Sequence, residues 1–292
     1  MPELPQEPVV SVVTPCLNMG PFLDETVRSV LDQDYPDIDY LVMDGGSTDG
    51  TLEILEGYNG RLRYVSERDR GQADAVNRGF GLTRSAIFTF LNADDTYLPG
   101  AVSAAVRAFA DHPEAGVVYG DAWHVAEDGS PIAPYPVESF DRENLERRCF
   151  ICQPAAFFRR EAFASVGMLD VDLRFAFDYD LWIRMARRYE MVRIDRYLAT
   201  VRHHRRTKTM SESGAAMRET IAVLQRHYGY VPFNWVYGYS HHRLTGQAVA
   251  VERPRAALSS VCYSLALGAR YNWRHPLRYC GDIVATARRG LA

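Results

Sequence analysis

The stretch Phe88-Thr89-Phe90-Leu91-Asn92-Ala93-Asp94-Asp95 constrains this chain most. A short apolar run bounded by polar residues reads as an inner strand of a parallel sheet, here ended by two adjacent carboxylates. In open α/β sheets the carboxyl ends of the strands face the ligand crevice. Two acids side by side there repel each other and call for positive charge. A divalent cation carrying a diphosphate meets that need, because Mg²⁺ and Mn²⁺ prefer carboxylate, water and phosphate oxygens. The competing reading is a helix N-cap, with Asp95 starting a helix before Thr96-Tyr97-Leu98-Pro99.

The segments around this strand alternate. Val9 to Thr14 is a β-branched run that Pro15 is expected to stop, and Phe22, Val27, Val30 and Leu31 then recur at helical spacing. Asp39 to Met43 is a second strand, running into Asp44-Gly45-Gly46-Ser47-Thr48-Asp49-Gly50, where Ser47 or Asp49 can cap the next helix. Asp44, at a strand end, can accept from a nucleobase N–H. Leu62 to Ser66 is a third strand, and Ala73, Val76 and Phe80 give the next helical face, with Asp69 and Asp74 near its start. A helix over Ala101–Ala110 and a strand over Gly116–Asp121 continue the pattern. Repeated β-α units predict an α/β fold, a mostly parallel sheet flanked by helices. The turn after the first strand lacks G-x-G-x-x-G, which argues against a dinucleotide-binding domain. Beyond it, Cys152–Phe158 reads as a strand carrying Gln153 and Pro154, and Asp178–Ala186 as a helix with two acids in its first turn. His203 and His204 sit in a basic run that reads as a metal-ligand pair or, more simply, a solvated turn.

Charge divides the chain. Residues 1–192 carry 17 basic and 32 acidic side chains, whereas residues 193–292 carry 16 basic and 5 acidic. A basic surface attracts phosphate or anionic lipid; no nucleic-acid recognition motif accompanies it. The last 60 residues interleave Trp235, Tyr237, Tyr239, Tyr263, Tyr271, Trp273 and Tyr279 with Arg and His. That pattern suits peripheral contact with an anionic membrane and equally a helical appendage packed on the main domain. Met1–Pro8 lacks the features of a signal peptide, and the pair Cys149 and Cys152 has no second pair to complete a zinc motif. The expected location is therefore the cytoplasm, at the inner face of the cell membrane if the tail binds it.

Five segments, taken in order, resemble family 2 glycosyltransferases: Val12–Asn18, Met43–Gly50, Gly71–Gly79, Asn92–Asp95 and Asp178–Trp182. The resemblance implies a GT-A nucleotide-sugar-binding domain over residues 1–210, with a helical C-terminal extension over 211–292. It further implies that Thr14, Pro15 and Asn18 line the nucleotide pocket and that Asp44 holds the base, uracil by expectation. Asp74 would border the sugar and diphosphate, Asp94 the ribose or sugar, and Gln153 the donor sugar or acceptor. Asp95 and His204 would serve the metal, Mn²⁺ or Mg²⁺, and Asp178 would be the catalytic base of an inverting, metal-dependent sugar transfer. The donor would be a nucleotide sugar and the acceptor a glycan or lipid-linked hydroxyl in envelope polysaccharide synthesis. Two departures stand out: Phe177 replaces the acid that often precedes the catalytic Asp, and Asn-Ala-Asp-Asp replaces a strict Asp-x-Asp. A catalytically silent nucleotide-sugar-binding module is the rival reading. A nucleotidyltransferase fits less well, since Pro15–Gly20 has no Lys or Arg.

Overall fold

The structure, a computed structural model, describes residues 4–205, 207–208, 212–246 and 254–290. The chain divides into two compact units, residues 1–141 with 150–205, and residues 142–149 with 206–292.

In the first unit, β1 (Val10–Cys16), α1 (Gly20–Leu31), β2 (Ile38–Asp44), α2 (Thr51–Gly57), β3 (Arg63–Ser66), α3 (Gln72–Leu82) and β4 (Ile87–Phe90) alternate as the apolar runs predict. Then come β5 (Thr96–Tyr97), α4 (Ala101–Asp111), β6 (Ala115–Val125) and β7 (Pro131–Pro134). After α5 (Arg142–Arg147), which belongs to the second unit, the first unit resumes with β8 (Ala156–Arg159), α6 (Arg160–Ser165), α7 (Phe177–Ala186) and β9 (Glu190–Arg202). One sheet runs β3-β2-β1-β4-β8-β6-β9-β5, with β7 on β6. The β3-β2-β1-β4 half is parallel, as β-α units demand. The other half is mixed: β8 runs antiparallel to β4 and β6, whereas β9 runs parallel to β6.

Period-two alternation on β4 feeds two different helix layers. Ile87 joins Val27, Val30, Ala105 and Phe109 under α1 and α4. Phe88 and Phe90 point the other way, into an aromatic layer with Phe80, Phe158, Phe163 and Phe177. Helix α3 lies close against the sheet because residue 79 is glycine: a Cβ there would stand 2.6 Å from Val13 Cγ1.

Two local expectations are corrected, and one competing reading falls away. Pro15 does not stop the first strand, which continues to Cys16 with Pro15 in register with Met43. Val9 and Val13 accept bonds from the β4 side, whereas Val10 and Cys16 bond toward β2. By that alternation the missing Pro15 N–H faces the β4 side, where pairing has ended at Val13. Gln153 and Pro154 are not in a strand; they form one 3₁₀ turn, and β8 starts at Ala156. Asp95 does not start a helix: Thr96 and Tyr97 pair antiparallel with Thr200 and Ala199, and α4 begins after Gly100.

The second unit contains α5, α8 (Ser213–Tyr228), α9 (Phe233–Thr245), α10 (Pro254–Tyr271) and α11 (Pro276–Gly290). The sequence places Arg142–Arg147 inside the first domain, but ion pairs tie it to the C-terminal helices. Arg147 lies 2.6 Å from Asp282, Glu146 pairs with Arg278, and Asn234 Nδ2 donates to the Arg147 carbonyl. No described helix is long and apolar enough to cross a membrane.

Candidate active site

The carboxyl ends of β1, β2 and β4 lie side by side, and two groups of polar side chains form there. The first joins the loops after β1 and β2. Asp44 is 1% exposed, and its carboxylate accepts from Gly46 N, Ser47 N, Ser47 Oγ and Ser66 Oγ. Gly46, at φ +89°, lets the chain fold back over that carboxylate. Asn18, itself at φ +54°, clamps the two loops together: its N–H donates to Ser47 Oγ and its Oδ1 accepts from Thr48 N. Ser47 is thus engaged by Asp44 rather than capping α2, where Asp49 accepts from Thr51 N instead. Thr14 is fully buried, with Oγ1 3.2 Å from Tyr40 OH. Its side chain supports this region from within the sheet; Pro15 is buried beside it.

The second group surrounds the turn after β4. Asp95 is 3% exposed. Its Oδ1 accepts from Arg202 N at 3.0 Å, its Oδ2 from Asn92 Nδ2 at 3.0 Å, and its carbonyl from Thr26 Oγ1. Gln72, opening α3, donates to Asn92 Oδ1, and Gln153 donates to the Phe90 carbonyl. Asp94 Oδ2 lies 2.9 Å from His204 Nε2. An ionised carboxylate only accepts, so Nε2 carries the proton in this contact. His204 is buried against the Phe22 ring, not in a solvated turn. Arg202 is buried as well; its Nε donates to the Asp94 carbonyl, Nη1 to the Glu127 carbonyl and Nη2 to Glu25.

Two charges this close in low dielectric do not both ionise easily. Burial first, and then the Asp94 charge, push the Asp95 carboxyl well above the ordinary carboxylate value, against the opposing bonds from Arg202 N and Asn92. A hard divalent cation fits such a donor set. Among the described residues no group of three His, Cys, Asp or Glu side chains able to hold a metal forms. Mg²⁺ is commonly held by one or two protein carboxylates, with phosphate oxygens and water completing its coordination. His204, expected at the metal, contacts Asp94 through Nε2.

Helix α7 starts at the same sheet edge, since the ring of its first residue, Phe177, is 6.3 Å from that of Phe90 at the end of β4. Its two first-turn acids have different fates. Asp180 is buried and ion-paired with Arg184 at 2.8 Å, while Asp178 is only half-buried, its Oδ1 accepting from Tyr179 N. Asp74, in the first turn of α3, accepts from Arg70 N and Nη2. Burial raises its pKa, but the Arg70 bonds outweigh that and hold it below the usual carboxylate range.

Sequence reasoning gave no role to Gln72, Asn92 or Thr26, and gave Arg202 only the general expectation that arginines of the basic run hold a diphosphate. Gln72 and Asn92 lie inside the quoted motifs, and Arg202 two residues before His204 in the basic run, so composition was the only signal for it. Register shifts in the β6–β9 pair and the β5–β9 pairing carry the end of β9 to the acidic turn.

The family model described as glycosyl transferase family 2 matches residues 11–167. A PGL/p-HBAD biosynthesis glycosyltransferase of Mycobacterium tuberculosis (strain ATCC 25177 / H37Ra) is 32% identical over 190 residues, covering 61% of this chain and 69% of that protein. The mannosyltransferase PcManGT from Pyrobaculum calidifontis, solved in complex with GDP-Man and Mn²⁺, has a TM-score of 0.62 at 20% identity, over 99% of this chain and 89% of that one. S. aureus TarS 1-349, solved in complex with UDP-GlcNAc, has a TM-score of 0.61 at 15% identity, over 90% of this chain and 83% of that one. A longer TarS chain is spanned only over 50% of its length. At these identities the two structures speak for the fold alone, a GT-A-type α/β architecture with a helical C-terminal region.

Proposed function

Because the chain belongs to glycosyl transferase family 2, we propose that it moves a sugar from a nucleoside-diphosphate donor, uridine diphosphate first among the carriers, to an acceptor hydroxyl. The acceptor class proposed is a glycan or lipid-linked glycan of envelope polysaccharide synthesis, a reading supported by the mycobacterial relative's name. The observation that carries the donor assignment is the buried Asp95, its ionisation opposed by burial and by Asp94, beside His204 at the end of β4. Asp95 and Asp94, with His204 alongside, would hold Mn²⁺ or Mg²⁺, and when bound the cation offsets charge on the departing diphosphate. Asn18 and the loop closed by Asp44 wall the nucleotide end. With four donors already on its carboxylate, Asp44 acts there through the shape of its loop. Asp74 and Gln153 border the sugar.

The half-buried Asp178 takes the proton of the acceptor hydroxyl as that oxygen attacks the anomeric carbon. The new glycosidic bond forms as the bond to the diphosphate oxygen breaks. The electron pair leaves with the nucleoside diphosphate, and the anomeric carbon inverts. Asp178→Asn is expected to keep the donor-induced rise in melting temperature while transfer falls about a hundredfold to ten-thousandfold. Unchanged turnover in that variant would remove Asp178 from the reaction. Donor binding without even slow donor hydrolysis in the unaltered chain would make it a silent binding module instead.

A further inference from the structure

Helix α10 is built inside out. A helix at a protein surface normally buries its apolar stripe and turns polar residues to water. Here Ser260, Ser264, Gly268 and Asn272, each four residues after the last, form the inner face, and the three polar side chains are at most 1% exposed. They are well satisfied there. Ser260 Oγ lies 3.2 Å from His241 Nδ1, Ser264 Oγ donates to the Ser260 carbonyl, and Asn272 exchanges two hydrogen bonds with the backbone of Val231. At Gly268 a Cβ would collide with Tyr279, so the packing is as close as glycine allows.

The outer face carries Leu258, Cys262, Leu265, Ala269 and, just past the helix end, Trp273, all exposed. Trp273 is 68% exposed. Helix α11 repeats the pattern: Tyr279 and Asp282 turn inward, whereas Leu277, at 88% exposure, Cys280 and Val284 turn outward. Among the described residues the exposed charged side chains of these two helices are arginines, of which Arg278 pairs with the buried Glu146. Arg270, Arg274, Arg278 and Arg288 are exposed, and Arg274 lies 4.8 Å from the centroid of the Trp273 ring. Asp282, the single acid in residues 254–290, is buried against Arg147.

We propose that the outer face of α10 and α11 docks on an anionic phospholipid surface, lying in the interface without crossing it. Apolar side chains flanked by arginines, with Trp at the edge, match the headgroup–acyl boundary. The all-arginine rim matches anionic headgroups, while neither helix is long and apolar enough to span the bilayer. The surface goes beyond the transfer reaction. Its use, holding the enzyme where a lipid-linked acceptor resides, rests on that reaction.

The test is co-sedimentation of the full chain with vesicles of phosphatidylcholine alone and of phosphatidylcholine with phosphatidylglycerol at about three to one. Binding is expected to the anionic vesicles only, to weaken with added salt, and to shift fluorescence to the blue by an amount that Trp273→Phe removes. The pair Leu265→Asp and Leu277→Asp should abolish binding, and Arg270→Glu with Arg274→Glu should weaken it about tenfold or more. These side chains face solvent, so the melting temperature should stay unchanged and report intact folding. Absence of binding to either vesicle, or binding that the substitutions leave unchanged, overturns the proposal. So does a species of twice the chain mass that Leu277→Asp returns to monomer, because the face then covers a second copy. A chain that binds anionic vesicles but turns over no donor upholds the surface and removes the transfer reaction.

Discussion

Two strand ends of the same sheet bury acids, and the fold treats them differently. At the end of β2, Asp44 is closed in by four donors from its own loop and from Ser66. At the end of β4, Asp95 has one backbone and one amide donor, Asp94 stands next to it, and its carboxyl is pushed well up. The first acid completes a piece of structure. The second leaves an electrostatic demand that a ligand can meet. A group with a raised folded-state pKa contributes stability below its unfolded value, ordinarily 3.8, and loses it as pH rises through the folded value. Near neutral pH an ionised Asp95 is therefore destabilising, and a bound cation should recover that loss.

The sharpest way to break this contrast is Asp95→Asn. It should lower transfer about a hundredfold to a thousandfold and remove the effect of added metal on melting, measured beside an initial-rate assay. Arg202→Ala comes next. It opens the contacts to the Asp94 and Glu127 carbonyls and to Glu25, and should cost about 3 kcal/mol in denaturant unfolding. Arg202→Lys should recover part of that stability without restoring all the fork-shaped contacts. Asp44→Asn should cost about 1–2 kcal/mol, while the increment from metal at saturating nucleotide stays the same. If instead it removes that increment, the two strand ends are one site and the contrast fails.

The smallest expected effect belongs to His124, whose Nδ1 lies 2.6 Å from His203 Nε2. Burial first, then His203, lower its pKa from the ordinary 6.5. A depressed folded-state pKa means that stability is fully present above the unfolded value and is lost as pH falls through the folded one. Melting temperature should therefore decline modestly below pH about 6.5, and His124→Gln should flatten that decline.

The acid pair and the β-α half of the sheet were legible because each depends on a short window: an apolar run, a glycine turn, a helical spacing. What the sequence hid depends on distance. Pro15 reads as a stop until the neighbouring strand is known to end two residues earlier. His204 reads as solvated until Asp94, 110 residues away, and Phe22 enclose it. Arg202 offered only its charge, and the attachment of Arg142–Arg147 rests on ion pairs to Asp282 and Arg278 that no local pattern encodes. Asp178 and Asp180 sit two residues apart in one helical turn, and packing, which buries Asp180 beside Arg184, decides between them rather than any local pattern.

The most direct measurement is a melting curve at saturating UDP, with Mn²⁺ titrated in, for the unaltered chain, Asp44→Asn and Asp95→Asn. A cation at about a hundred times its dissociation constant should add about 2.7 kcal/mol of stability by mass action. The rise should be the same in the unaltered chain and in Asp44→Asn, and absent in Asp95→Asn. An equal rise in Asp95→Asn, or none in the unaltered chain with any nucleoside diphosphate, would contradict a cation–diphosphate site at the end of β4.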